Sequence, residues 1–227
     1  MNKRIDEEYY EVVSGDSIAE RLLVKARSRM HKDFLRMTTP SPQTTILDVG
    51  VSDVQVKGAN WLETAYDHPE KIHACGLGEG NDFRKAFPSV AYTQIIANER
   101  LPFDDQYFDI ATANAVLEHV GSVDSQRGFI EELLRVSKQF FITVPHRYFP
   151  IEHHTSIPFA HYFDLTFDVI CRVLGKERWT DQRNLILMTV SHLKSISPAN
   201  SIIGYTGLPL GPFSSNIFLY CKNKDSS

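Results

Sequence analysis

The residues able to do chemistry fall in five short clusters, each at the end of an apolar run: Asp48-Val49-Gly50, Gly76 to Glu79, Ala97-Asn98, Asn114 to His119 and Pro145-His146-Arg147. Acids, amides and histidines are the side chains that hold a polar small molecule and move a proton. In TTILDVGVSDV, residues 44–54, an apolar stretch stops on an acid and a glycine, and such a strand end can present its backbone to a nucleotide-like ligand. Ser52 and Val54 stand where a three-glycine loop would have its second and third glycines. Ser52 can still turn the chain and donate a hydrogen bond, whereas Val54 adds a branched side chain. GLGEG, residues 76–80, imitates a dinucleotide loop but follows the second apolar run, so it reads as a turn. His119, His146 and His154 are the candidate bases. Glu152, His153, His154 and His161 raise a metal reading, but no helical His-x-x-x-His spacing supports it, and no metal site is expected.

The elements that must position these clusters follow from periodicity. Ser17 and Glu20 form a capping box, and Ile18, Leu22, Ala26, Met30, Phe34 and Leu35 continue at helical spacing until TTPSP at 38–42. Strands are expected at 44–49, 71–77, 90–96, 108–115, 140–144 and 216–222. Helices are expected near Trp61 to Ala65, from Gln126 to Val136 and from Leu165 to Leu174. Residues 78–82 read as a turn, 186–196 have an apolar pattern of undefined type, and Gly204, Gly207, Pro209, Gly211 and Pro212 read as a loop before the last strand. Strands alternating with helices predict a parallel sheet covered on both faces, with its carboxyl ends on one edge where ligands bind.

Whole-chain properties narrow the class. A chain of 227 residues, 42% hydrophobic and 23% charged, can bury a full core as one domain. A net charge of -4 gives no general pull toward nucleic acid or an anionic membrane. Three scattered cysteines, Cys75, Cys171 and Cys221, suit a reducing compartment and no disulfide frame. The start MNKRIDEEYY is too acidic for a secretory signal, and no apolar stretch approaches the roughly 20 residues of a membrane helix, so a cytoplasmic location is expected.

LPFDDQYFDIATANAVLEHV, residues 101–120, resembles the class I, Rossmann-like S-adenosylmethionine-dependent methyltransferases, through Leu101, Pro102, Phe103, Asp105, Phe108, Asp109, Leu117, Glu118, His119 and Val120. ELLRVSKQFFITVPHRYFP downstream is similar to a second stretch of that family, with His146 in an asparagine position. The resemblance covers about residues 44–155. It implies an α/β fold, a single Rossmann-like doubly wound domain with a mostly parallel seven-stranded sheet and an antiparallel C-terminal strand. Residues 1–43 would form an N-terminal helical arm or lid, in which Tyr9 and Tyr10 either cover the acceptor or simply pack, and 44–227 the cofactor-binding domain.

The resemblance also implies roles. S-adenosylmethionine would be the cofactor, with Asp48 on its ammonium, Gly50 and Ser52 under its amino-acid tail, and Asn114 near the sulfonium. Glu79 would take the ribose, although Gly76 occupies the strand end where relatives carry the acid. Asn98 would meet the adenine amino group, and Leu101 and Phe103 would cover the ring. The expected function is methyl transfer to a small polar acceptor, first an oxygen, of a sugar or surface-polysaccharide precursor. A homodimer is admitted, and no nucleic acid or membrane is expected as partner. The alternatives are a methyltransferase-like binding protein with weak or no turnover, and a nicotinamide-dependent oxidoreductase, which would need the missing glycines.

Overall fold

Apolar β-branched runs closed by glycine or asparagine become strands, and in the computed structural model they order into one sheet. The structure describes residues 18–54, 58–152, 154–210 and 212–223. Ser17, Tyr9, Tyr10, His153, Gly211 and the last four residues lie outside them, and so do the expectations placed on them. The strands are β1 (Ile46–Val49), β2 (Ile72–Gly76), β3 (Ala91–Gln94), β4 (Phe108–Asn114), β5 (Ser137–Pro145), β6 (Ile202–Leu210) and β7 (Phe213–Lys222). Their order is β3-β2-β1-β4-β5-β7-β6. The first five run parallel, and β7 lies antiparallel to both β5 and β6. The chain reverses its direction of growth between β1 and β4, the position where sheets of this kind open a crevice.

Alternation along the strands divides the core into two layers. Leu47, Val49, Ala111, Ala113, Phe140 and Ile142 meet α4 (Val123–Val136) and α6 (Val190–Ile196) on one face. Ile46, Ile72, Ala74, Ile110 and Phe141 meet α1 (Ile18–Thr38), α2 (Trp61–Ala65) and α3 (Asn81–Ala86) on the other. Asp48, Thr112, Asn114 and Thr143 share the parity of that second face, so strand period two carries four polar groups to the α1 side. A third cluster, with Phe167 and Cys171 of α5 (Asp164–Val173), Trp179 and Leu185, supports the segment after β5.

Two expectations need correction, and one segment left open gains a type. The glycine- and proline-bearing stretch after 201 is not a loop but the nine-residue edge strand β6. A Cβ on Gly204 would overlap the ring of Phe218 on β7, so glycine there admits the aromatic neighbour. A register shift between Thr206 and Pro209 absorbs the proline at the edge. Asn81 and Asp82, read as a turn, open α3, whose first backbone N–H groups from Asp82 and Phe83 both donate to Asp53 Oδ1 at 2.8 Å. Residues 190–196 are helical, started by Thr189, whose side chain accepts from His192 N.

α4 also fixes the loop before β4. Arg135, at its last turn, donates to the carbonyls of Leu101 and Phe103 and to Asp105, while Glu132 accepts from Leu101 N. No helix among the described residues is long and apolar enough to cross a membrane.

Candidate active site

At the β1–β4 switch a cleft opens between the sheet edge and the helices of the second face. It encloses about 610 Å³, counting the space open to solvent. Asp48, Gly50 and Asn114 line it, so three of the expected cofactor residues come together. Ser52 lies beside the cleft: its N–H donates to Asn60 Oδ1 at 2.9 Å and its carbonyl accepts from Asn60 Nδ2 at 2.7 Å. Glu79 and Asn98 are exposed and do not line the cleft, and the acid position at the end of β2 is covered instead, because a Cβ on Gly76 would crowd the Tyr92 hydroxyl. Leu101 is buried in the core with α4, and Phe103 packs on His73 and Phe108. Neither lines the cleft.

The shortened glycine loop has been rebuilt with other contacts. Gly50 adopts φ +94°, and a Cβ there would overlap the Val116 side chain. Gly50 and Val51 both donate to the carbonyl of Cys75, extending the β1–β2 ladder. Asp53 takes the α3 N-terminus, leaving the cleft to side chains and to the Gly50 backbone. Ala115 sits at φ 56°, a strained turn that follows Asn114 and leads into Val116. Thr143 Oγ1 donates to Asn114 Oδ1 at 2.6 Å, which fixes which end of that amide is spent in the sheet.

Sequence reasoning missed the side of the cleft built by helices. Arg27, Met30, His31 and Phe34 of α1 and Trp61 and Leu62 of α2 line it with Asp48. Glu63 of α2 lies against Asp48. Burial, then the Glu63 charge, raises the Asp48 carboxyl well above its usual range, and burial pushes Glu63 up to about 7. Among the described residues neither Glu63 oxygen has a hydrogen-bond partner, and neither does Trp61 Nε1. Asp48 in the cleft wall, with the buried and donor-short Glu63 carboxyl against it, forms a seat for a cation. The alternation Thr112, Asn114 and Thr143 was the one sequence signal for this wall. The helical contribution comes from packing between segments remote in sequence, and no local pattern carries it.

The three candidate histidines divide. His119 and His154 meet, with their Nε2 atoms 3.1 Å apart. His119 Nδ1 lies 2.6 Å from the Asn184 carbonyl. Burial pushes the His119 imidazole down to about 4. Burial works against ionisation of Glu152, but bonds from His154 and Thr155 hold it down to about 2. His146 stands apart, buried at the end of β5, with Nδ1 3.2 Å from the Ser214 carbonyl. Burial lowers its basicity, so it stays neutral near pH 7. It lines a smaller cleft in which Glu118, Arg147, Glu152 and His161 stand among apolar residues such as Ile151 and Met188. Glu118 is fully buried, and burial pushes it up to about 7.

Comparison with known proteins agrees with this geometry. Residues 64–140 match the family model described as a methyltransferase domain. No curated protein matches the sequence. Among solved structures, a SAM-dependent methyltransferase of Aquifex aeolicus is 15% identical, with 90% of this chain and 93% of that chain covered and a TM-score of 0.51. One of Thermotoga maritima is 14% identical over 91% of this chain and 95% of that one, at 0.53. A Rhodobacter sphaeroides protein provisionally described as a zinc-dependent alcohol dehydrogenase is 10% identical over 93% and 100%, at 0.56. At these identities the structures establish the shared fold. The domain match covers residues 64–140, from α2 to β5.

Proposed function

We propose that the chain is an S-adenosylmethionine-dependent methyltransferase, which seats its cofactor in the cleft at the β1–β4 switch and methylates an oxygen of a small polar acceptor, a sugar or surface-polysaccharide precursor. One observation carries the placement: the Asp48–Glu63 carboxyl pair, buried beside Gly50 with the Glu63 oxygens short of donors. A cofactor with a cationic amino-acid end supplies the donors this pair lacks. S-adenosylmethionine brings an activated methyl group on a sulfonium, open to in-line displacement.

The protein's part is alignment and exclusion of water. Asp48 and Glu63 would hold the ammonium, the backbone at Gly50 would leave room for the tail, and Asn114 would serve the reacting end from β4. Met30, Phe34, Trp61 and Leu62 keep that end dry. His146 takes the acceptor's proton. It is neutral near pH 7, and its Nδ1 is held by Ser214, whereas His119 and His154 have turned their Nε2 atoms on each other. The sugar-type acceptor rests on the likeness of residues 101–155 to enzymes that decorate such precursors, and the cleft beside His146 offers Glu118, Arg147, Glu152 and His161 to its hydroxyls.

Titration calorimetry with S-adenosylmethionine tests the cofactor, and tritiated methyl transfer to candidate glycosides tests the acceptor. His146→Gln should leave cofactor affinity within twofold and lower turnover about 100-fold or more. Turnover that survives the substitution removes His146 from the role of base.

A further inference from the structure

Two imidazoles and a carboxyl end on one point behind the cleft. His119 Nδ1 faces the carbonyl of Asn184, which only accepts, so Nδ1 carries the hydrogen. His154 Nδ1 lies 2.7 Å from Glu152 Oε1, while Glu152 Oε2 accepts from His154 N, Thr155 N and Thr155 Oγ1. Glu152 is thus an acceptor throughout, and His154 donates from Nδ1. Each ring, neutral, therefore turns a lone pair from Nε2 toward the other at 3.1 Å. Glu118 faces the same point. It is 1% exposed, neither of its oxygens has a hydrogen-bond partner among the described residues, and its ligand atom and the two nitrogens all lie within 4.8 Å of one another.

We propose that Glu118, His119 and His154 form a binding site for one divalent transition-metal cation of the zinc kind, with a fourth position for water or a ligand oxygen. Two imidazole nitrogens and one carboxylate oxygen are a zinc-type donor set. Zinc–nitrogen bonds of about 2.0–2.1 Å at a tetrahedral angle set two nitrogens about 3.3 Å apart, close to the observed spacing. The orienting groups that metal-ligating histidines use are in place: a carboxylate on His154 and a backbone carbonyl on His119. The ligands are also rigidly held. Gln126 Nε2 donates to Leu117 O and Ile186 N to Glu118 O, while Trp179 packs on His154 with ring centroids 4.8 Å apart.

This site goes beyond the methyl-transfer reading and does not depend on it. It does neighbour the cofactor cleft, since the Arg27 guanidinium that lines the cleft acts on both Asp48 and Glu118. The competing occupant is a proton, which would make a charged His154 wedged between Glu152 and His119.

The test adds Zn²⁺ or Co²⁺ alone to the full chain after chelator treatment. One equivalent of Co²⁺ should bind, give the visible absorption of a four-coordinate N/O site and quench Trp179 fluorescence, with Zn²⁺ displacing it. Glu152→Gln should weaken binding about 10- to 100-fold, and His154→Ala and Glu118→Gln by at least as much. The isosteric Glu118→Gln keeps the side-chain volume, and thermal unfolding measured alongside separates a lost ligand from a lost fold. Wild-type protein that gives no such spectrum, or a well-folded Glu118→Gln or His154→Ala that binds as tightly as wild type, overturns the site and leaves the proton as occupant.

Discussion

Asp48→Asn should weaken S-adenosylmethionine binding roughly 30-fold or more, because truncating one side of a buried charged pair costs about 2 kcal/mol at the least. The same change removes a repulsive buried acid, so the ligand-free protein should unfold at an equal or higher temperature than wild type. That opposition separates a binding residue from a structural one. The pH dependence has a definite sign. Burial raises both carboxyls above their unfolded values, and Glu63 reaches about 7. The Glu63 contribution to the stability of the free fold is therefore present below about pH 4.5, its ordinary value, and is lost as pH rises through about 7, and the Asp48 contribution has the same sign. A bound ammonium favours the ionised pair, so binding should release protons and tighten from pH 5.5 to 8. Calorimetry in buffers of different ionisation enthalpy counts those protons. An Asp48→Asn protein with wild-type affinity would put the cofactor elsewhere.

Gly50→Ala is expected to be strongly destabilising for the addition of a single methyl group. The left-handed backbone at φ +94° costs a residue with a Cβ about 1–2 kcal/mol, and overlap with Val116 adds about 1–3 kcal/mol. Val116→Ala should recover only the overlap. Urea unfolding of the two single variants and the double variant then reads a coupling of about 1–3 kcal/mol. If Gly50 also lets the backbone approach the cofactor, the double variant regains stability but not affinity. Recovery of both would mean that the glycine exists for Val116 alone.

How much of this was legible depended on whether the cause was local. LDVG, HACG, FDIATAN and FFITV announced four strands, because buried parallel strands are apolar runs with polar ends. Asp48, Gly50 and Asn114 were legible for the same reason: a strand end fixes its position in the fold. β6 was not, because Gly204 and Pro209 read as breakers until Phe218 and an open sheet edge explain them. Glu63, Trp61 and Arg27 reach the cleft only after two helices dock on the sheet, a fact of tertiary packing. His119 and His154 are 35 residues apart and meet through Asn184, Glu152 and Trp179, so spacing along the chain carried no sign of the pair. Leu101 illustrates the converse. Its motif was plain, yet Arg135 and Glu132 hold it to α4 within the core.

One wall of the cleft belongs to α1, a segment that precedes the whole sheet in the chain. Thr206 Oγ1 to Asp33, Gln139 Nε2 to the Thr38 carbonyl, and the edge-on contact of Phe34 with Phe141 secure it. Ligand affinity and the seating of this helix are then two readings of a single linked equilibrium. Saturating cofactor should slow amide hydrogen exchange along residues 27–38 more than in β4, whose order does not wait on the ligand. Equal slowing in both would mean that the helix is already fixed before anything arrives.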